Sequence, residues 1–333
     1  MSSSEYIQIT SLEEVMTVVK LLRSRLRASV VGRNEVIDLN IIALLADGHV
    51  LLEDYPGSGK TTLAKALGDC LIVEQQSRYP AMRRVQFTPD LMPSDVTGTT
   101  IFDPESRSFD FRPGPLFSHV LLADEINRTS PKVQSALLEA MAEKQCTIDN
   151  TTHPLSELFF VIATQNPLDL AGTFPLPSAQ LDRFLFKIRM EHIAKEDELS
   201  LLLNFAQVQQ GAPKGLARVT PTQIIQCRHV IENQITIAKP IMACLVEIAE
   251  ETRRSPLTLQ GISTRSLVVA LSALRVRALL QGRTYVAAED LQFLAPMLFA
   301  HRLMMAPGAG NPEDVVTSCL DRPIEQLSRG LIR

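Results

Sequence analysis

Two short stretches carry the residue types that handle phosphate. The first is PGSGKTT, residues 56–62, set between the apolar run HVLLE (49–53) and the helical spacing of TTLAKALGDCL. A glycine-rich loop that opens a helix aims backbone N–H groups at an anion. Pro56, Gly57, Ser58 and Gly59 would form that loop, Lys60 would reach the β- and γ-phosphates, the Thr61 hydroxyl would ligate magnesium, and Thr62 would lie near the α-phosphate. The pattern G-x-x-x-x-G-K-[ST] asks for glycine at 54, and Asp54 stands there. Position 54 precedes the cradle, and aspartate tolerates left-handed backbone better than most residues. Asp54 is therefore expected to tune affinity; if its charge repels a triphosphate, Asp54→Gly tightens binding. The bland alternative is a strand–turn–helix corner that happens to hold a lysine.

The second stretch is HVLLADE (119–125), which ends in Asp124 and Glu125. At the C-terminal end of a strand, Asp124 can hold magnesium through its water shell. Glu125 can polarise a water for attack on the γ-phosphate. Paired acids at a strand end are otherwise ordinary solvated turn residues. Asn166 in ATQNP could orient the same water, or simply build an Asn-Pro turn. Arg183 in QLDRF and Arg265 in ISTRSL acquire meaning only in company. Loop, acid pair, amide and two arginines occur in the order used by ATPases of the AAA+ class, and chance agreement of all five is far rarer than of any one.

The intervening pattern supplies a scaffold for them. β-rich runs at 49–53, 83–88, 119–125, 158–167 and 184–190 alternate with helical stretches, among them PKVQSALLEAMAE with Ser130 as N-cap and Pro131 at its first position. That alternation predicts an α/β fold with a parallel sheet between helices. After about 195 the spacing is helical throughout, which predicts an all-helical second domain. The expected division is a nucleotide-binding αβα core over 1–190 and a helical lid over 195–333. EDELSLLLNFAQVQQ is expected as one helix, with Thr220 starting another and Gly282 stopping a third. PGAGNPED (307–314) is expected as a loop. Segments 98–117 and 144–158 carry turn signals between short β-like pieces and are either surface loops or inserted hairpins.

Composition narrows the class. The 333 residues are 45% hydrophobic and 21% charged, enough apolar material for a large core and against wholesale disorder. A net charge of -4 leaves no basic footprint, so nucleic acid is not the expected partner. Five dispersed cysteines without a C-x-x-C pair fit reduced thiols and a cytoplasmic setting. No signal peptide or membrane span is expected.

Three blocks make a family resemblance specific: FRPGPLF, ADEINRTSPKVQSALLEAMAE and FFVIATQNPLDLAGTFPLPSAQLDRF. The chain, from about 30 to 303, resembles the MoxR family of AAA+ ATPases. The resemblance implies that Val31 and Gly32 line an adenine pocket. It makes Glu125 the general base, Asn166 the first sensor and Arg265 the second sensor. Arg183 would be an arginine acting on a neighbour's γ-phosphate, with Arg128 a second candidate for that role. Segments 98–117 and 144–158 would be the family's helix-2 insert and pre-sensor hairpin. The implied cofactors are ATP and Mg2+, the latter on Thr61 and Asp124. The implied partners are further copies of the chain in a ring, a hexamer by expectation, a separate protein with a von Willebrand factor A domain, and protein clients to be remodelled or loaded with metal or cofactor. A nucleotide-gated scaffold with little hydrolysis is the alternative, and a nucleic-acid motor a weaker one.

Overall fold

The structure is a computed structural model that describes residues 8–53, 58–73, 77–167, 172–213 and 215–330. Helices α1 (Leu12–Ser29) and α2 (Asn34–Leu45) lead into β1 (Val50–Glu53), α3 (Lys60–Asp69), β2 (Met82–Gln86) and α4 (Pro93–Thr97). A hairpin of β3 (Gly98–Asp103) and β4 (Ser108–Pro113) precedes β5 (Val120–Asp124) and α5 (Pro131–Glu143). A second hairpin, β6 (Gln145–Ile148) with β7 (Thr151–Pro154), precedes β8 (Phe160–Gln165), α6 (Ser178–Leu181) and β9 (Phe186–Arg189). The chain then becomes helical: α7 (Lys195–Leu203), α8 (Phe205–Gln210), α9 (Pro221–Gln234) and α10 (Lys239–Arg254). It closes with β10 (Thr258–Gln260), α11 (Thr264–Leu280), α12 (Ala288–Phe299), β11 (Met304–Met305) and α13 (Pro312–Ser328).

The main sheet has the order β2-β5-β8-β1-β9, and every pairing in it is parallel. Successive side chains on a strand face opposite ways, so a strand covered on both faces reads as a continuous apolar run. VLLAD and FVIATQ do so here. Leu51, Leu121, Ala123, Val161 and Ala163 pack to one side with Val133, Leu137 and Leu138 of α5. Val50, Leu52, Val120, Leu122, Phe160 and Ile162 pack to the other, against α1, α2 and α3. That second core continues without a break into the C-terminal helices, because α9 and α11 rest on α1 and α2.

Local capping agrees with the sequence at several ends and departs at others. Ser11 and Glu14 form a reciprocal box at the start of α1, and Thr220 and Gln223 form one on α9, each satisfying N–H groups the helix cannot. Such a cap is worth about 1 kcal/mol. Gly282 follows α11 in the left-handed region (φ 72°), as a helix stop requires. Ser130 does occupy the N-cap position of α5, but its side chain makes no capping hydrogen bond. The expected single helix over 196–210 is broken at Asn204, whose side chain bonds back to the Ser200 carbonyl and whose backbone leaves the helical region. The expected loop at 307–314 is shorter, because Asn311 caps α13 and Pro312 takes its first position.

One polar cluster ties a hairpin base to the helical half. Asp47, in left-handed backbone just before β1, accepts from Lys144 Nζ at 2.6 Å and from Arg228 Nη1 of α9 at 2.6 Å. Lys144 also donates to the Glu157 carbonyl, so one carboxylate joins the start of the sheet, the β6–β7 hairpin and α9.

Candidate functional site

Parallel strands present their carboxyl ends at one edge, and ligands of such sheets bind there. At that edge Glu53 is in register with Gln165, and Gln86 with Asp124. Of these, Glu53 is internally satisfied: Gln165 Nε2 donates to it at 2.6 Å and Lys187 Nζ lies 2.8 Å away. Asp124 and Glu125 are held by a hydroxyl from the neighbouring strand. Thr164 Oγ1, fully buried on β8, donates to Asp124 Oδ1 at 2.7 Å and accepts from the Glu125 backbone N–H at 2.8 Å.

The residue after Asp124 turns sharply. Glu125 has φ 59° and ψ 50°, a conformation that is uncommon for a residue with a Cβ and is sustained only when its surroundings enforce it. The bond from its N–H to Thr164 and the short helical turn that follows, Ile126–Arg128, supply that enforcement. The Glu125 carboxylate is then engaged twice within the chain: Gln86 Nε2 donates to Oε2 at 2.8 Å, and Arg128 Nε lies 3.1 Å from the same oxygen. Arg84 donates from Nη2 to Asp124 Oδ2 at 2.7 Å and to Gln86 Oε1 at 3.1 Å. Gln86, Arg84 and Thr164 are participants that the sequence reading did not single out.

The phosphate-loop residues Ser58 to Thr62 lead into α3, which packs against β5. Gly59 sits in left-handed backbone (φ 93°) as the N-cap, with open space where a Cβ would stand, and Lys60, Thr61 and Thr62 form the first turn. The Ser58 hydroxyl is buried without a hydrogen-bond partner among the described residues, an orphan suited to a ligand's oxygen. Asp54, Pro56 and Gly57 lie outside the described residues.

Beside this loop is a cavity of about 810 Å³, of the size that takes a nucleotide. Val31, Ser58, Gly59 and Thr62 line it, with Ile193 and Phe205 among its apolar walls. Lys60, Thr61, Asp124 and Glu125 are not on its lining. Gly32 is also off the lining; a Cβ there would meet Asp197 Cβ at 2.8 Å, so its missing side chain lets α7 approach. A cavity with apolar walls thus adjoins the glycine turn that opens α3, which packs against β5, the strand that ends in the acids. A hydroxyl from Thr61 and the Asp124 carboxylate, oriented by Thr164, are donors of the kind that fit magnesium, which takes few protein ligands and fills its shell with phosphate oxygens and water.

The remaining predicted residues are spread around this edge. Asn166 follows β8 directly and is half-buried; its carbonyl is approached by Asn127 Nδ2 at 3.5 Å. Arg183 is half-buried and Arg265 exposed at the start of α11. Their sequence neighbours are in contact: Ser266 Oγ donates to Asp182 Oδ1 at 3.1 Å, and Arg302 Nε lies 2.8 Å from the same oxygen. The segments bearing the two arginines are therefore joined. Arg302 is 7% exposed and also donates to the Phe184 carbonyl, which anchors the end of α12 to the core.

Comparison with known proteins agrees with this geometry. Residues 49–186 match the ATPase family associated with various cellular activities (AAA), and residues 250–319 match the AAA lid domain. The protein YeaC of Bacillus subtilis, itself uncharacterised, is 44% identical over 84% of this chain and 84% of its own. Chaperone MoxR1 of Mycobacterium tuberculosis is 34% identical over 83% of this chain and 73% of its own. A crystal structure from Cytophaga hutchinsonii with an ATPase designation superposes with a TM-score of 0.82 at 32% identity, covering 93% of this chain and 95% of the other.

Proposed function

This chain belongs to the MoxR-type AAA+ ATPases, and on that premise we propose that it binds ATP with magnesium and hydrolyses it to drive chaperone-like remodelling of protein clients. The observation that carries the reading is the pair of bonds from Thr164, which fixes Asp124 and Glu125 in one rigid unit at the strand end next to the phosphate loop. Rigid placement of a base and a metal-facing acid is what phosphoryl transfer demands, since it depends on positioning and electrostatics more than on covalent chemistry.

Magnesium supplies charge neutralisation at the phosphate oxygens when bound. Thr61 and Asp124 would hold it, and the buried Thr164 hydroxyl keeps the Asp124 carboxylate oriented for that task. Lys60 and the loop amides receive the phosphates. Glu125 takes the proton of the attacking water once its carboxylate is free of Gln86 and Arg128, and Asn166 orients that water. Val31 and the apolar wall of the cavity receive the base. Arg183 acts on the nucleotide of a neighbouring copy, which makes the working species a ring, a hexamer on our reading. Arg265 reports the nucleotide to the helical lid. Arg128 pairs with Glu125 in its own chain, which favours Arg183 for the role between subunits.

Residues 1–190 form the core on this reading and 195–333 the lid. The partner is a separate protein with a von Willebrand factor A domain, and the clients are complexes that need maturation, or metal or cofactor insertion. A cytoplasmic setting belongs to this reading because the five cysteines are all free thiols.

A second reading, an ATP-gated scaffold with little hydrolysis, has one observation in its favour. Glu125 Oε2 is shared by Gln86 and Arg128, which makes that oxygen a weaker base. Phosphate release by purified protein, compared with Glu125→Gln and Lys60→Ala variants, separates the two.

A further inference from the structure

We propose that Arg84 is a positioning residue that competes with magnesium for Asp124, and that its displacement also loosens the Gln86 hydrogen bond to Glu125. The inference rests on the ATPase reading above and goes beyond it in assigning an occupant to the metal-facing acid.

The two oxygens of Asp124 have different company. Oδ1 is bound from within by Thr164, whose hydroxyl is fully buried. Oδ2 is bound by Arg84 at 2.7 Å. The Asp124 side chain is only 11% exposed, whereas that of Arg84 is 47% exposed. The outward approach to the carboxylate is thus covered by a long side chain that has room to swing aside. A divalent cation arriving with its water shell needs the same approach, and it repels a guanidinium already there. Arg84 and the metal therefore exclude one another at Oδ2.

The second half of the inference comes from strand geometry. Arg84 and Gln86 are two apart on β2 and point to the same face. Arg84 donates to Gln86 Oε1 at 3.1 Å, which orients the amide so that its NH2 group faces Glu125 Oε2, 2.8 Å away. An amide without that donor is free to turn, and Glu125 Oε2 then loses one of its two partners. One guanidinium thus controls both acids: directly at Asp124 and through one amide at Glu125. Metal entry thereby also loosens one of the two partners of Glu125 Oε2, the other being Arg128.

The test is equilibrium binding of a fluorescent, non-hydrolysable ATP analogue to wild type, Arg84→Ala and Arg84→Lys, first with EDTA and then across a magnesium titration. The affinity in EDTA measures what each side chain contributes to the nucleotide itself. Relative to that affinity, Arg84→Ala should reach half-maximal tightening at about threefold to fivefold less magnesium, and Arg84→Lys should stay near wild type. A residue that only shapes the fold would not move the magnesium midpoint. If Arg84→Ala loses its thermal unfolding transition, Arg84→Gln carries the same comparison. A midpoint unchanged or raised, with nucleotide binding intact, overturns the inference alone. Failure of wild type to bind the analogue under any condition overturns the ATP reading, and this inference with it.

Discussion

Thr164 Oγ1 stands 2.7 Å from Asp124 Oδ1 and 2.8 Å from the backbone nitrogen of Glu125, so one hydroxyl on β8 holds both acids at the end of β5. Replacing it with valine keeps the shape and removes both bonds. Thr164→Val leaves a buried N–H and a buried carboxylate oxygen without their partner, at a cost of about 1–3 kcal/mol. Because Glu125 depends on that bond for its left-handed turn, hydrolysis should fall far more than nucleotide affinity. Urea unfolding and parallel binding and turnover assays check this; a variant with normal turnover would show that the hydroxyl does not position the acids.

Asp182 joins the segments that carry Arg183 and Arg265. Arg302 is nearly buried, and burial holds its pKa below the usual value while the Asp182 charge opposes that shift. Removing one member of such a pair strands the other. Asp182→Ala should cost about 3 kcal/mol and loosen α11 from the core, which hydrogen exchange at 264–270 would report. Protection unchanged from wild type would show that the contact is incidental.

Asp47 receives two cations, one of them Arg228, which is 13% exposed at its side chain. Its backbone is left-handed, a conformation that asparagine also accepts. Asp47→Asn therefore isolates the loss of charge and should cost about 1–3 kcal/mol, while Lys144→Ala, which removes the more exposed partner, should cost less. Thermal melts of both variants order the two effects; an equal or reversed order would contradict the assignment of Arg228 as the main partner.

Three buried histidines make stability depend on pH, and burial holds one of them, His301, well below its ordinary value. Burial pushes His49 down to about 4, and burial likewise lowers His119 to about 4. Above the ordinary value near 6.5 all three are neutral whether folded or unfolded, and no penalty arises. As pH falls from about 6.5 towards 4 the unfolded chain binds protons that the folded chain refuses, so stability is lost across that window. For His49, whose ring accepts from the Val161 N–H and contacts the Met141 carbonyl, the loss between pH 6.5 and 5 is on the order of 2 kcal/mol. Urea midpoints at pH 7 and pH 5 measure it, and His49→Gln should lessen the dependence, with His119 and His301 accounting for what is left. A pH-independent midpoint would rule out a neutral buried His49.

Much of the scaffold was legible because it rests on local periodicity. The runs HVLLE, HVLLADE, LFFVIATQNP and FLFKIRM are near-continuous apolar or β-branched stretches, and each contains a strand of the parallel sheet, while the more polar RRVQFT overlaps the edge strand β2. The acid pair could be placed at a strand end because it closes the apolar run VLLA (120–123). Thr164, Gln86 and Arg84 could not be found that way. Each acts across the sheet on a residue about 40 positions distant, and only the register of β2, β5 and β8 brings them into contact. The break at Asn204 and the early start of α13 were hidden for the opposite reason. They depend on a single side chain bonding to its own backbone, a local choice that helical spacing does not encode.

The central claim is that Glu125 is a general base held ready by the strand end, and phosphate release tests it most directly. Purified protein with magnesium and ATP should release phosphate at a rate per molecule that rises with protein concentration as copies assemble. Glu125→Gln should bind ATP as wild type does and abolish release, and Lys60→Ala should lose binding. Phosphate release by wild type no higher than by Lys60→Ala, at every protein concentration tried, would contradict the account.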